Sequence, residues 1–360
     1  MILSKIWERY FLRETIKLVV LFIVCFYGLY VLIDYSSHSR TFHHYIHYKW
    51  YQIALYYACE FSHRLDILLP FALLVATIRT LYNMNVHNEL VALMAGGFRL
   101  KRLMIPFIVL AIFFVGAEYI NYQYVMPKAL KQLRTLNEMR TVEKNKKQQI
   151  QSVQSIVLED HSTLIFLKYD HTQQRFYDTY WIRSIDDIYR IKYLYPHQKT
   201  PIGNVVEHLE RNKEGLLQEK EAHLELAFKE MRFNKKRLLE TLTPSEEQSL
   251  VSLWAKTPQN RDAVSEKEAI LVSTFYRRLV MPWLCLLAVM GPIPFCVNYS
   301  RNQPIFFIYA FSLFGLVATY LMLDAAVILG KRQVFTPEWA ILLPFFFVSS
   351  IIAWRFSRIR

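Results

Sequence analysis

Residues 103–125, LMIPFIVLAIFFVGAEYINYQYV, decide the fold of this chain. Glu118 is the only charged residue in this stretch. A helix crosses a membrane when about 20 mostly apolar residues let its backbone satisfy its own hydrogen bonds across the hydrocarbon. The stretch therefore predicts a transmembrane helix, and the different texture of the chain that follows it predicts a separate domain outside the membrane.

Five other stretches have the same apolar character, and the composition agrees with them. The 360 residues are 53% hydrophobic and 15% aromatic, and only 20% are charged, where about 25% is usual for a soluble domain. The sequence thus predicts an α-helical membrane protein with six transmembrane helices, the first of which is too long and too aromatic for a cleaved signal peptide. The five other spans are roughly residues 15–34, 58–81, 274–296, 304–329 and 336–354.

The distribution of basic residues predicts the orientation. Lys and Arg exceed Asp and Glu by 13, and residues 128–270 hold 24 basic and 21 acidic residues, so most of the excess lies in the apolar ends. Lys and Arg resist translocation. With a cytoplasmic N-terminus, twelve of them lie in the inside segments and four, Arg40, Lys49, Lys331 and Arg332, in the short outside loops. Both termini are therefore expected inside and residues 128–270 outside. Basic residues that border apolar runs indicate membrane orientation rather than nucleic-acid binding.

The middle of the chain changes from helical to strand-like periodicity. Residues 128–149 are charged and helix-forming and extend the third span. Short runs rich in β-branched and aromatic residues follow, separated by polar turns. About seven consecutive strands without a helix indicate a sandwich, jelly roll or open barrel, and Pro244 to Glu247 are expected to cap a returning helix. The predicted strands are 152–159, 163–169, 175–184, 187–195, 203–210, 214–220 and 222–233.

No motif for catalysis, nucleotide binding or metal binding is present. Gly330-Lys331 lacks the rest of a P-loop, and no Rossmann fingerprint, nucleophile elbow or zinc-protease motif occurs. His43, His44 and His47 are the densest group of potential ligands, but an interfacial loop explains them better than a metal site. No catalytic residue, cofactor or metal is therefore expected.

Ionisable residues at membrane depth are candidates for function. Glu60 and Arg64, four residues apart in the second span, are read either as an internal pair or as lining a cavity. Asp324 lies near the outer end of the fifth span, where snorkelling towards Lys331 and Arg332 is the favoured explanation.

Residues 85–98, NVHNELVALMAGGF, are too apolar for a solvated loop between the second and third spans. Val86, Leu90, Leu93 and Met94 recur at helical spacing, and Gly96-Gly97 can end a helix. This segment is read either as an interfacial helix on lipid, with Glu89 complementing the helix dipole, or as a docking helix in the groove of a partner.

Several short motifs in both apolar halves suggest a family. In the N-terminal half they are a Leu-Pro pair in the second span, NELVALMAGG in the cytoplasmic segment, a proline in the third span and YVMPKA at its end. In the C-terminal half a Leu-Gly pair precedes two prolines and an alanine. The residues are Leu69-Pro70, 88–97, Pro106, 124–129, Leu329-Gly330, Pro337, Ala340 and Pro344.

With these motifs the chain resembles the LptF/LptG permease family of the bacterial lipopolysaccharide export transporter. Residues 33–35 and 88–92 are more like LptG, whereas Arg13-Glu14 has something of LptF; Gly96-Gly97-Phe98 departs from the commoner small-Gly-x-Ser form. The resemblance implies three spans in 1–127 with a coupling helix at about 84–97, a periplasmic jelly-roll-like β-domain with helical linkers in 128–270, and three spans in 271–360. It also implies a multi-pass protein of the bacterial inner membrane.

The resemblance further implies a non-catalytic permease subunit that extracts lipopolysaccharide from the inner membrane and passes it to a periplasmic bridge. The implied partners are a cytoplasmic LptB-like ATPase dimer, a paralogous permease that is LptF-like if this chain is LptG, LptC/LptA-like periplasmic proteins and lipopolysaccharide. A scaffold or a secondary transporter remains the alternative. Coupling to the ATPase is assigned to Glu89, Leu90, Leu93, Met94 and Gly96, and lipid binding to Arg40, Arg64, Asp324, Lys331, Arg332, Phe166 and Tyr180.

Overall fold

The computed structural model shows that the chain divides into two compact units, residues 1–143 with 245–360 and residues 144–244. The first unit is helical and the second is a β-sheet. The residues described are 5–40, 50–134, 154–158, 160, 162–170, 173, 175–196, 200–211, 217–231, 244–257, 266–297 and 305–358.

Six helical segments of the described chain are long and apolar enough to cross a membrane, which confirms the six predicted spans. Each is longer than predicted at one end or at both, because charged residues at the ends of the spans continue the helix. In chain order the helices are α1 (Ile6–Arg40), α2 (Trp50–Val86), α3 (Glu89–Ala95), α4 (Leu100–Ile120), α5 (Leu250–Lys256), α6 (Glu266–Val280), α7 (Leu284–Met290), α8 (Ile293–Cys296), α9 (Ile305–Lys331) and α10 (Pro337–Ser357).

The third and fourth spans are irregular. After α4 the backbone forms a π-helical turn, Asn121–Val125, and then continues as helix to Arg134. The fourth span consists of α6, a 3-10 turn at Met281–Trp283, α7 and α8. A proline removes a backbone donor and interrupts a helix. Pro282 lies in the 3-10 turn, and Pro292, with Gly291, separates α7 from α8.

The short helix α5 forms where a returning helix was expected, but its cap is a later residue than predicted. Residues Ser245–Glu247 form a 3-10 turn, and Ser249 is the N-cap of α5, where its side chain accepts a hydrogen bond from the backbone N–H of Ser252. Prediction and structure differ because either serine can serve as a cap.

The β unit is one antiparallel sheet whose six described strands pair in sequence order. The last two predicted strands form a single strand, because the pairing with the preceding strand continues through Glu221, opposite His208. The order of the described strands is that of a meander. The strands are β1 (Gln154–Val157), β2 (Thr163–Asp170), β3 (Arg175–Ile182), β4 (Asp187–Tyr195), β5 (Ile202–Arg211) and β6 (Leu217–Ala227).

The core of the β unit lies on one face of this sheet. Leu164, Phe176 and Ile191 are fully buried there, and Phe228 and Met231, which follow β6, are buried in the same cluster. The β-domain expected between the third and fourth spans is therefore confirmed, and its described residues form one sheet whose core includes the segment that follows the last strand.

Candidate functional site

The segment between the second and third spans contains the predicted short helix. Asn88 is the residue before α3 and has a left-handed backbone (φ 59°); its side chain makes no capping hydrogen bond. Gly96 follows the last helical residue, and Gly97 has φ +84°, a value that favours glycine. The helix is therefore bounded as the sequence predicted, but it covers only 89–95 of the expected 84–97, because α2 continues to Val86.

The apolar face of α3 packs against its own chain. Leu90 is 3% exposed, and Leu93 and Met94 are half-buried against the same cluster, which also contains residues of α2 and α4. The exposed side of the helix carries Ala92 and Ala95, and it is continuous with exposed Gly96. A partner that binds α3 in this conformation would meet small residues rather than Leu90, Leu93 and Met94.

Glu89 lies at the start of α3, beside α1. The hydroxyl of Tyr10 donates a hydrogen bond to its carboxylate at 3.4 Å. Glu89 and Tyr10 also line a small cavity of about 170 Å³, together with Asn83 and His87. Glu89 thus has a partner within the chain but remains partly accessible to solvent.

In the N-terminal half of α2, away from α3, Arg64 is part of a polar cluster with α1. Its Nε donates to Glu60 at 2.8 Å, and its guanidinium lies over the ring of Tyr30 at 4.3 Å. The Tyr30 hydroxyl donates to the same Glu60 carboxylate. The internal Glu60–Arg64 pair is therefore confirmed.

The interpretation of Asp324 was wrong. Its carboxylate lies 3.3 Å from Nε of Arg277 in α6, and Arg277 also contacts Asp66 of α2 at 3.7 Å and the hydroxyl of Tyr320 at 3.2 Å. Lys331 is seven residues, or about 10 Å, further along the helix, whereas α6 packs directly against α9. Asp324 therefore belongs to a charged cluster that connects three helices.

Sequence reasoning missed Arg277 and Arg278. The Arg278 side chain is 2% exposed and donates to the backbone carbonyls of Gln248 and Glu246. The available signal was the presence of two consecutive arginines within the window of the fourth predicted span, since cations at membrane depth are rare and generally paired.

The remaining basic candidates lie at the ends of spans. Lys331 ends α9 and is half-buried, and Arg332 is exposed. Arg40 is the last residue of α1, but its side chain is outside the described residues, as are His43, His44 and His47.

Phe166 and Tyr180, the two candidates in the β unit, lie on opposite faces of the sheet. Phe166 is 1% exposed within the core. Tyr180 is half-buried between buried Thr179 and Trp181, and it faces away from the core. Tyr180 lies on this face because strict alternation fails at Asp178, whose φ of 47° changes the phase of β3.

The first, fifth and sixth spans expose most of their apolar surface. Only 6% of the most apolar window of α1, α9 or α10 is buried, against 61% for α2. On α1 the exposed side chains include Val20, Val24, Leu29 and Leu32, and on α9 they include Phe306, Phe311, Phe314 and Leu321. These surfaces can contact lipid or another membrane-spanning subunit.

Residues 9–358 match the family model described as lipopolysaccharide export system permease LptF/LptG. The chain belongs to the LptF/LptG family. A search of curated proteins finds no match. The family membership and the six apolar helices identify a multi-pass inner-membrane permease of lipopolysaccharide transport, and the predicted resemblance is confirmed.

Proposed function

We propose that this LptF/LptG permease pairs with a paralogous permease, extracts lipopolysaccharide from the inner membrane and delivers it to a periplasmic bridge of LptC/LptA-like proteins. A separate cytoplasmic LptB-like ATPase dimer supplies the energy. The observation that carries the proposal is the family match along residues 9–358. In the proposed orientation α3 and both termini are cytoplasmic and the β unit is periplasmic.

The exposed faces of α1 and α9 support an apolar cavity between the two permeases. A lipid with several acyl chains needs such a surface, and the low burial of both helices leaves it available. At the end of these helices far from α3, the anionic head would meet the basic candidates. Arg332 is exposed and can therefore reach the head, whereas Arg64 is paired with Glu60. Asp324 is paired with Arg277 and would act by fixing the position of α9.

Coupling to the ATPase is assigned to α3. Leu90, Leu93 and Met94 would transmit motion, since they join the helix to the core, while Glu89 and the exposed side at Ala92, Ala95 and Gly96 would contact the ATPase. A helix that is anchored on one face can move with its membrane unit when a partner binds the other face.

The experiment is co-purification of this chain with the ATPase and the paralogous permease, followed by lipopolysaccharide-stimulated ATP hydrolysis in proteoliposomes. Glu89→Lys is expected to lower both association and stimulated hydrolysis at least about fivefold, because one charge pair at a partly desolvated interface is worth roughly 1 kcal/mol or more. Tyr10→Phe is the matched control, since it removes the contact of Glu89 within the chain and keeps its charge.

Full association and stimulated hydrolysis in Glu89→Lys would remove this residue from the coupling contact. Failure of the wild-type chain to associate with any ATPase would instead favour a scaffold or a secondary transporter.

A further inference from the structure

A basic cavity lies on the side of the membrane unit that carries α3. It has a volume of about 800 Å³ and lies between the start of α4 and the end of α10. Arg99, Lys101 and Arg358 line it, and Met94 and Phe98 supply apolar surface. None of the described residues that line this cavity is acidic, so it has a net positive lining.

Within the described part of the chain, the cations of this cavity keep donors free for a ligand. Lys101 donates one hydrogen bond to the Ser357 carbonyl at 2.9 Å, and an ammonium group has three donors. The Arg358 guanidinium stacks on the exposed ring of Trp354 at 4.1 Å, an arrangement that leaves its N–H edges available. The first backbone N–H groups of α4, a 21-residue helix, add positive potential at Leu100 and Lys101.

An apolar groove between α10 and α7 leads towards this cavity. Its α10 wall contains Leu342, Phe345, Ser349 and Ala353, and Trp283 and Met290 line the opposite side. Ser357, which lines the basic cavity, is four residues after Ala353 and therefore on the same helix face. Groove and cavity thus follow one stripe of α10.

The length of the groove matches one leaflet of a bilayer. From 342 to 353 the α10 stripe rises about 16 Å at 1.5 Å per residue, and half of a hydrocarbon core of about 30 Å is about 15 Å. The volume of the groove is about 420 Å³. An elongated apolar chain fits this shape, with a charged group at the end nearer to Arg358 along α10.

We propose that the cavity and the groove together form a binding site for an anionic glycerophospholipid, with its phosphate between Arg99, Lys101 and Arg358 and one acyl chain along α10. Because successive spans alternate direction, this site lies in the leaflet on the side of α3, which the proposed orientation makes cytoplasmic. It is therefore separate from the proposed lipopolysaccharide path. Met94 and Phe98, in the segment that contains α3, would contact the bound headgroup.

The test uses the full chain in mild detergent, titrated with phosphatidylglycerol or phosphatidylcholine of identical acyl chains and measured by native mass spectrometry. Phosphatidylglycerol is expected to bind at least about tenfold more tightly. The triple variant Arg99→Gln, Lys101→Gln, Arg358→Gln should weaken this binding at least about tenfold. The control variant Lys192→Gln, Lys229→Gln removes two exposed cations of the β unit and should leave binding unchanged.

A second pair of variants tests the groove without altering charge. Ala353 is exposed at the groove, and Ala353→Trp should weaken the binding of phosphatidylglycerol at least about fivefold. Ala318→Trp, at an exposed alanine of α9, should not. Thermal unfolding identifies any variant that has lost its fold. The charge variants and the tryptophan variants are independent tests, so either set can decide the proposal if its variants fold.

Equal binding of both lipids, or unchanged binding in the triple variant, would overturn the proposal. Displacement of phosphatidylglycerol by equimolar inorganic phosphate would show a site for free anions and not for lipid. A triple variant that keeps the lipid but loses the ATPase would identify the basic cavity as a protein-docking surface.

Discussion

Arg277 joins carboxylates on two other helices, and its position gives a prediction at the scale of one residue. Asp66 is 5% exposed, and removing its cation would leave a nearly buried charge without compensation. We expect Arg277→Met to lower the free energy of unfolding by about 3 kcal/mol, measured by denaturant titration of the detergent-solubilised chain.

Arg332→Met is the matched control for this change, because Arg332 is an exposed cation at the end of α9. It should alter stability by less than about 0.5 kcal/mol. Adding Asp66→Asn to Arg277→Met should recover part of the loss, since the unpaired charge is then removed. A loss in Arg277→Met no larger than in the control would show that the cluster does not stabilise the membrane unit.

At the scale of helices, Gly330 sets how closely α9 approaches α10. A Cβ at this position would lie 2.9 Å from the Ser273 Oγ and 3.3 Å from the Pro337 Cα. We expect Gly330→Ala to destabilise the chain by about 1–2 kcal/mol, because the backbone of Pro337 cannot move aside without shifting α10. Thermal unfolding in detergent measures the effect.

Gly315 in the same helix provides the control, since no atom lies within 4 Å of the Cβ that Gly315→Ala would add. That change should be neutral or stabilise by up to about 1 kcal/mol through helix propensity. Ser273→Ala should relieve part of the cost of Gly330→Ala. Equal stability of the two alanine variants would contradict the close approach.

The β-sheet gives a second prediction at this scale, which rests on the proposed function. If acyl chains pass through the core side of the sheet, a photo-crosslinking amino acid at Phe166 should form lipid adducts that depend on ATP, because this residue lies in the core. The same probe at Tyr180, on the other face, should form few. If lipid adducts form only with probes placed in α1 and α9, the lipid path is confined to the membrane. The core of the β unit would then be a closed core that takes up no lipid.

At the scale of the whole molecule, the predicted topology follows from the twelve-to-four distribution of basic residues in the short segments. A single cysteine introduced at position 200, in a chain whose four native cysteines are replaced, should react with an impermeant maleimide added outside the inner membrane. A cysteine at position 97 should not. Labelling of position 97 but not 200 would reverse the orientation.

The sequence by itself determined the spans, the strands and the family. The length of an apolar stretch decides whether it can cross a membrane, and within the hydrocarbon its backbone must be helical because its N–H and C=O groups find no water to bond. All six predicted spans are helices. Alternation and turn residues located the sheet, and the short motifs around 88–97 located the family that the match along 9–358 establishes. These properties depend on local composition, so they can be read without knowing which helices are neighbours.

Only the tertiary structure decided which side chains meet. Asp324 pairs with Arg277, 47 residues away, and Leu90 faces the chain's own core rather than a partner. The phase of β3 changes at Asp178, so Tyr180 leaves the face that alternation assigned to it. The physical reason is the same in each case: an ion pair, a buried helix face and a strand phase depend on packing between distant segments, which local periodicity does not encode.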